Sequence, residues 1–102
     1  MKTKGLRDML ARHILEFAKA LEQVDIYNDR HFHEALVLAI TYYNVEVSAL
    51  AKEIRITQGT VSKWKHSQSI PHPMVRPVII SVIRALLVRQ INDLQDERPG
   101  GK

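Results

Sequence analysis

Cysteine is absent from this chain. That excludes a disulfide framework and a thiolate zinc site, and it leans toward a reducing compartment. Glycine and proline are scarce, four of each, and no stretch alternates apolar with polar residues, so β structure is not expected. No uncharged apolar run approaches the roughly 18 residues of a membrane span. The opening MKTKGLRDMLARH breaks its apolar pattern with charges, unlike a signal peptide. A soluble, cytoplasmic protein without membrane contact is expected. Acids are missing from Ile54 through Asn92, where Arg55, Lys63, Lys65, Arg76, Arg84 and Arg89 all fall. No nucleophile–base pair or glycine-rich phosphate loop is visible, so neither an enzyme nor a cofactor is expected.

What the chain does have is helical periodicity. Its 102 residues are 45% hydrophobic, a single-domain length that buries roughly two-thirds of its unfolded surface. Leu6, Met9, Leu10, His13, Ile14, Phe17, Leu21 and Val24 recur at three- and four-residue steps, predicting an amphipathic helix over about 6–24. Its spacing suits either a dimer seam or packing onto its own domain. Asn28 or Asp29 can cap a second helix over about 30–43, burying Phe32, Ala35, Leu36, Ala39, Ile40 and Tyr43. Asn44 suits its end. Two short helices follow, near 47–54 and 58–66, then a loop over 67–73 marked by two prolines. A last helix reaches about Leu94, with apolar residues on more than one face, which asks for a second partner. The expected organisation is an N-terminal helix over 1–25, a helical domain over 28–95, and a disordered tail over 96–102. His31 and His33 point to different helix faces and carry no metal expectation.

The segment Ser48–Trp64, SALAKEIRITQGTVSKW, carries the functional signal. Leu50, Ala51, Ile54, Ile56, Val61 and Trp64 have the spacing of two short helices packed across a turn. Thr57 is a good N-cap for the second helix. At about 100° per residue, Thr57, Val61 and Trp64 share one face, leaving Gln58, Gly59, Ser62, Lys63 and His66 on the other. Such a helix fits a DNA major groove. Gln58 can pair with an adenine edge, Lys63 can reach guanine or phosphate, Ser62 accepts either partner, and Gly59 permits close approach. Thr60 sits at the margin. Ser48 heads the preceding helix, whose free amides suit a phosphate.

From about Phe32 to Leu87 the chain resembles the Cro/CI (lambda repressor-like, XRE) helix-turn-helix family. The likeness rests on FHEALVLAITYY, SALAKEI, a short turn, TQGTVSKW, and a loop ending in Pro71. It implies an all-α fold of about five helices, here with an extra N-terminal amphipathic helix. It also implies a homodimer that binds a palindromic operator in double-stranded DNA. The family's base-reading positions fall on Gln58, Gly59, Ser62, Lys63 and His66, and its phosphate positions on Ser48, Thr57, Thr60 and Lys65. Where the family commonly has turn and loop glycines, this chain has Arg55 and Ser67. Lys65 follows the tryptophan where the family often has an acid.

The sequence therefore points to a DNA-binding transcriptional regulator, a repressor acting by promoter occupancy. The homodimer would form through its N-terminal helix, its C-terminal helix, or both. The alternative is a helical protein-interaction module, antitoxin-like or an assembly adaptor, that uses the same scaffold to hold a protein partner.

Overall fold

Capping and backbone chemistry divide the described residues into five α-helices. The computed structural model describes residues 2–96; the expected disorder from 97 to 102 lies outside the described residues. Helix α1 (Lys2–Ala20) runs into a 3-10 turn (Leu21–Gln23), followed by α2 (Asp29–Thr41), α3 (Val47–Ile54), α4 (Gln58–Lys65) and α5 (Arg76–Gln95). The fold is all-α, with no strand among the described residues. None of the described helices is long and apolar enough to cross a membrane.

The Asn28 side chain accepts the His31 amide at 3.0 Å and starts α2. Among the described residues, three other than glycine take the left-handed conformation: Asn44, Arg55 and Ser67. Each follows a helix. Ile56 donates to the Ala51 carbonyl at 3.0 Å and Arg55 to Lys52 at 3.2 Å. Gln68 to Lys63 (2.8 Å) and Ser67 to Trp64 (3.2 Å) repeat that pattern. Both are Schellman closures, which satisfy the last carbonyls of a helix and favour glycine at the left-handed position.

Arg55 lacks that freedom, and a non-glycine residue there costs roughly 1–2 kcal/mol. Arg55→Gly relieves this at the expense of a more flexible unfolded chain. It should raise stability by about 0.5–1 kcal/mol in urea denaturation. A destabilised variant would show that the Arg55 side chain contributes more than its backbone costs.

Phe32, Leu36, Leu50, Val61, Ile79, Ile83 and Leu87 are fully buried, joined by Ala18 and Leu21 from the N-terminal segment. The N-terminal helix and the helical domain expected after it therefore share one core. Helix α1 lies along α5, and α3 packs against α5 as well, which accounts for the wide apolar surface of the last helix. Arg84 clamps the first pair, donating to the Ala18 carbonyl at 3.3 Å and pairing with Glu22 at 2.6 Å. Burial by α1 is partial. Ala11, Ala18 and Leu21 are buried, whereas Leu6, Met9 and Leu10 stay exposed. His13, expected to pack, is exposed beside the rings of Tyr42 and Tyr43.

Arg76 precedes Pro77 and would be biased away from helix, yet it is the first residue of α5. Its buried side chain explains this. It donates to the Pro71 carbonyl at 2.9 Å and the Ile26 carbonyl at 2.7 Å, and it pairs with Asp29 at 2.9 Å.

Candidate nucleic-acid interface

Helix α4 is held from one side and open on the other. Val61 and Trp64 are buried against the core, and α4 packs on α3 and α2. Thr57 caps its start: Oγ1 accepts the Thr60 amide at 3.1 Å and lies 2.9 Å from the Thr60 hydroxyl. That hydroxyl pair uses one of its two protons internally. The other remains to donate outward, so Thr57 and Thr60 offer one phosphate donor between them.

The opposite face carries the base-reading candidates. Gln58, Gly59, Lys63 and His66 are exposed and Ser62 is half-buried. Four-residue steps link Gln58 to Ser62 and Gly59 to Lys63, placing each pair side by side on the helix. His66 stands just beyond the last helical residue, where it terminates α4. Near that end, Nε2 of His33 lies 3.1 Å from the Lys65 carbonyl and 3.0 Å from the Ser67 hydroxyl. When Nε2 carries its proton it donates to the carbonyl, tying α4 to α2. The role of His33 is thus to brace this helix, a contact across 32 residues that local spacing does not reveal.

Gly59 needs no special backbone here. A Cβ at this position would meet only the Thr57 hydroxyl oxygen, at 3.8 Å, which is ordinary contact. Alanine favours helix over glycine by about 1 kcal/mol, so Gly59→Ala should raise the melting temperature. If α4 enters a groove, the added methyl should weaken specific duplex binding, checked by fluorescence anisotropy. Unchanged affinity would remove Gly59 from the interface.

Two sequence expectations need correction. Ser48 is the second residue of α3 and not its cap: the helix begins at Val47, as the spacing predicts, and Glu46 occupies the capping position without a side-chain cap bond. Ser48 and Gln58 do line one shallow depression, but Glu46 lines it too. A carboxylate therefore stands beside the amides expected to receive a phosphate, and disfavours an anion there. The basic segment is also narrower than its composition suggests. Arg76 and Arg84 serve internal pairs, and Arg89 lines a depression with Glu46 and Asp93. Arg55, Lys63 and Lys65 remain as the cations on or beside α4. Lys65 itself is half-buried.

A second surface lies at the far end of α5. Leu10, Ile14, Tyr42, Tyr43, Gln90 and Leu94 line a cleft of about 530 Å³. Phe17 stacks on Tyr43 with centroids 4.0 Å apart, and Gln90 donates to the Tyr43 carbonyl at 3.0 Å. Burial, together with Tyr42 and Glu16, pushes the Tyr43 hydroxyl above its ordinary pKa. No group of three or more potential metal ligands occurs among the described residues. No protein-family model, curated protein or solved structure matches the chain.

Proposed function

We propose that this protein is a sequence-specific double-stranded DNA-binding regulator that reads a palindromic operator as a dimer and represses by occupying it. One observation carries the proposal. A short helix is capped by Thr57 and anchored through Val61 and Trp64, and it turns outward a face of hydrogen-bonding and cationic groups free of carboxylates. A folded protein gains little from such a face, whereas a major groove offers each of those groups a partner. In this reading Gln58, Gly59, Ser62, Lys63 and His66 face base edges. Thr57, Thr60 and Lys65 face phosphates, and Ser48 contributes least because Glu46 flanks it.

The competing proposal is a protein-interaction module. It draws on Leu6, Met9 and Leu10, which are exposed on α1 near the cleft that Leu10 shares with Tyr42. Salt separates the two. Duplex affinity should fall by on the order of a thousandfold between about 50 and 200 mM salt if several phosphates are neutralised. Duplex binding that is absent at low salt, or flat with salt, would sink the DNA reading.

A further inference from the structure

The cleft between α1, the residues that follow α2, and the end of α5 has no part in the DNA reading. Its volume of about 530 Å³ falls within the roughly 300–1,000 Å³ of small-molecule sites. Leu10, Ile14 and Leu94 make it apolar, and the rings of His13, Tyr42 and Tyr43 line it too. Those rings are held in place by one another. Phe17, outside the cleft, stacks on Tyr43 with centroids 4.0 Å apart, and Tyr42 meets Tyr43 edge-on at 5.0 Å. Packing therefore fixes one wall of the site.

Charge and hydrogen bonding then define what the cleft can hold. Gln90 spends its amide nitrogen on the Tyr43 and Asn44 carbonyls, at 3.0 and 3.4 Å, which leaves its oxygen to accept. Asp93 is exposed, and it alone among Asp, Glu, Lys and Arg residues lines the cleft. Arg89 stands one turn before it and shares a neighbouring depression. Even so, Asp93 joins no ion pair among the described residues. Tyr43 is raised above its ordinary pKa by burial first and then by Tyr42 and Glu16, so a second carboxylate bears on the same ring.

We infer that this cleft binds a small organic cation, an amine or quaternary ammonium carried on a short aromatic or apolar body. The body lies against Leu10, Ile14 and Leu94, and the positive group lies by Asp93 and the tyrosine rings. Aromatic faces attract a cation through their quadrupole, and the carboxylate supplies the opposite charge. An anion would meet Asp93 with no Lys or Arg in the lining to offset it, and a neutral molecule would leave the carboxylate unused. No residue of α4 lines this cleft, so the inference stands apart from the DNA-binding reading.

Exposure sets the strength. Asp93 and Tyr42 both face water, so a ligand of about ten non-hydrogen atoms binds with a Kd on the order of 1 mM. Its charge accounts for a roughly tenfold preference over an uncharged molecule of the same shape, the scale of an exposed ion pair with a cation–π contact.

The test titrates the full chain with phenethylamine, phenethyl alcohol and phenylacetate, following backbone amide shifts by NMR. It is run at about pH 8, where imidazole is neutral and alkylamines stay charged. Phenethylamine should shift the amides of Leu10, Ile14, Tyr43 and Leu94. It should bind roughly tenfold tighter than phenethyl alcohol, and phenylacetate should bind more weakly than either. Asp93→Asn should keep the wild-type melting temperature, because the side chain is exposed. It should also bring amine and alcohol to within about twofold of each other. Equal wild-type affinity for amine and alcohol, or a preference that survives Asp93→Asn, would overturn the assignment to a cation. A folded protein whose cleft amides do not shift at roughly ten times the expected Kd would overturn the site itself.

Discussion

Arg76→Ala should cost about 3 kcal/mol of folding stability, the scale expected when a buried charged network loses its centre. The side chain is only 2% exposed and serves three elements at once. Two of its acceptors are backbone carbonyls, Pro71 and Ile26, which no compensating substitution can remove. Leaving them buried without a donor costs roughly 1–3 kcal/mol each. The guanidinium also lies 5.4 Å from the centre of the Phe32 ring, so truncation opens space against a fully buried aromatic.

Asp29→Asn provides the contrast. Its side chain is 68% exposed, and the exchange should cost no more than about 1 kcal/mol, as for a solvent-screened pair. Urea denaturation of the two variants tests the ranking. An Arg76→Ala protein within about 1 kcal/mol of wild type would mean that water takes over the carbonyls, and that the loop does not depend on this residue.

The largest functional effect is expected from reversing the charge beside the exposed face of α4. Lys63→Glu with Lys65→Glu should lower affinity for every duplex by about a hundredfold or more at low salt. The slope of log affinity against log salt should also flatten by about 0.9 for each phosphate no longer neutralised. Gln58→Ala should behave differently. A bidentate base contact is worth about 1–3 kcal/mol of discrimination, so this variant should lose preference at one base pair and keep its salt slope. The two signatures separate base reading from phosphate attraction. If the charge-reversed protein stayed folded and bound as well as wild type, α4 would not face DNA.

The helical plan was legible because its determinants are local. Thr57 and Asn28 cap the helices that the spacing predicts. Arg55 and Ser67, standing where glycine would be easiest, do adopt the left-handed backbone. Val61 and Trp64 are buried on the face that 3.6-residue periodicity assigns to them.

What sequence spacing missed depends on residues far apart in the chain. Arg76 counts as a surface cation until α5 brings it against Ile26 and Asp29, about 50 positions earlier. Arg84 is likewise spent on Glu22 across 62 positions. The first helix offered two destinations of equal periodicity. Only the fold shows that it lies along α5 and buries Ala11 and Ala18, while Leu6, Met9 and Leu10 stay exposed. Helix α3 begins at Val47, as its spacing predicts, but Glu46 and not Ser48 stands at its boundary. Context overrides a capping preference for serine worth about 1 kcal/mol.

Selection from a randomised duplex library at about 150 mM salt, where nonspecific phosphate attraction is weakened, tests the central claim most directly. The account predicts an enriched palindrome whose half-sites lie one helical turn, roughly 10 base pairs, apart. A folded protein that enriches no sequence would contradict it, and would direct attention to the apolar surface of α1 and a protein partner instead.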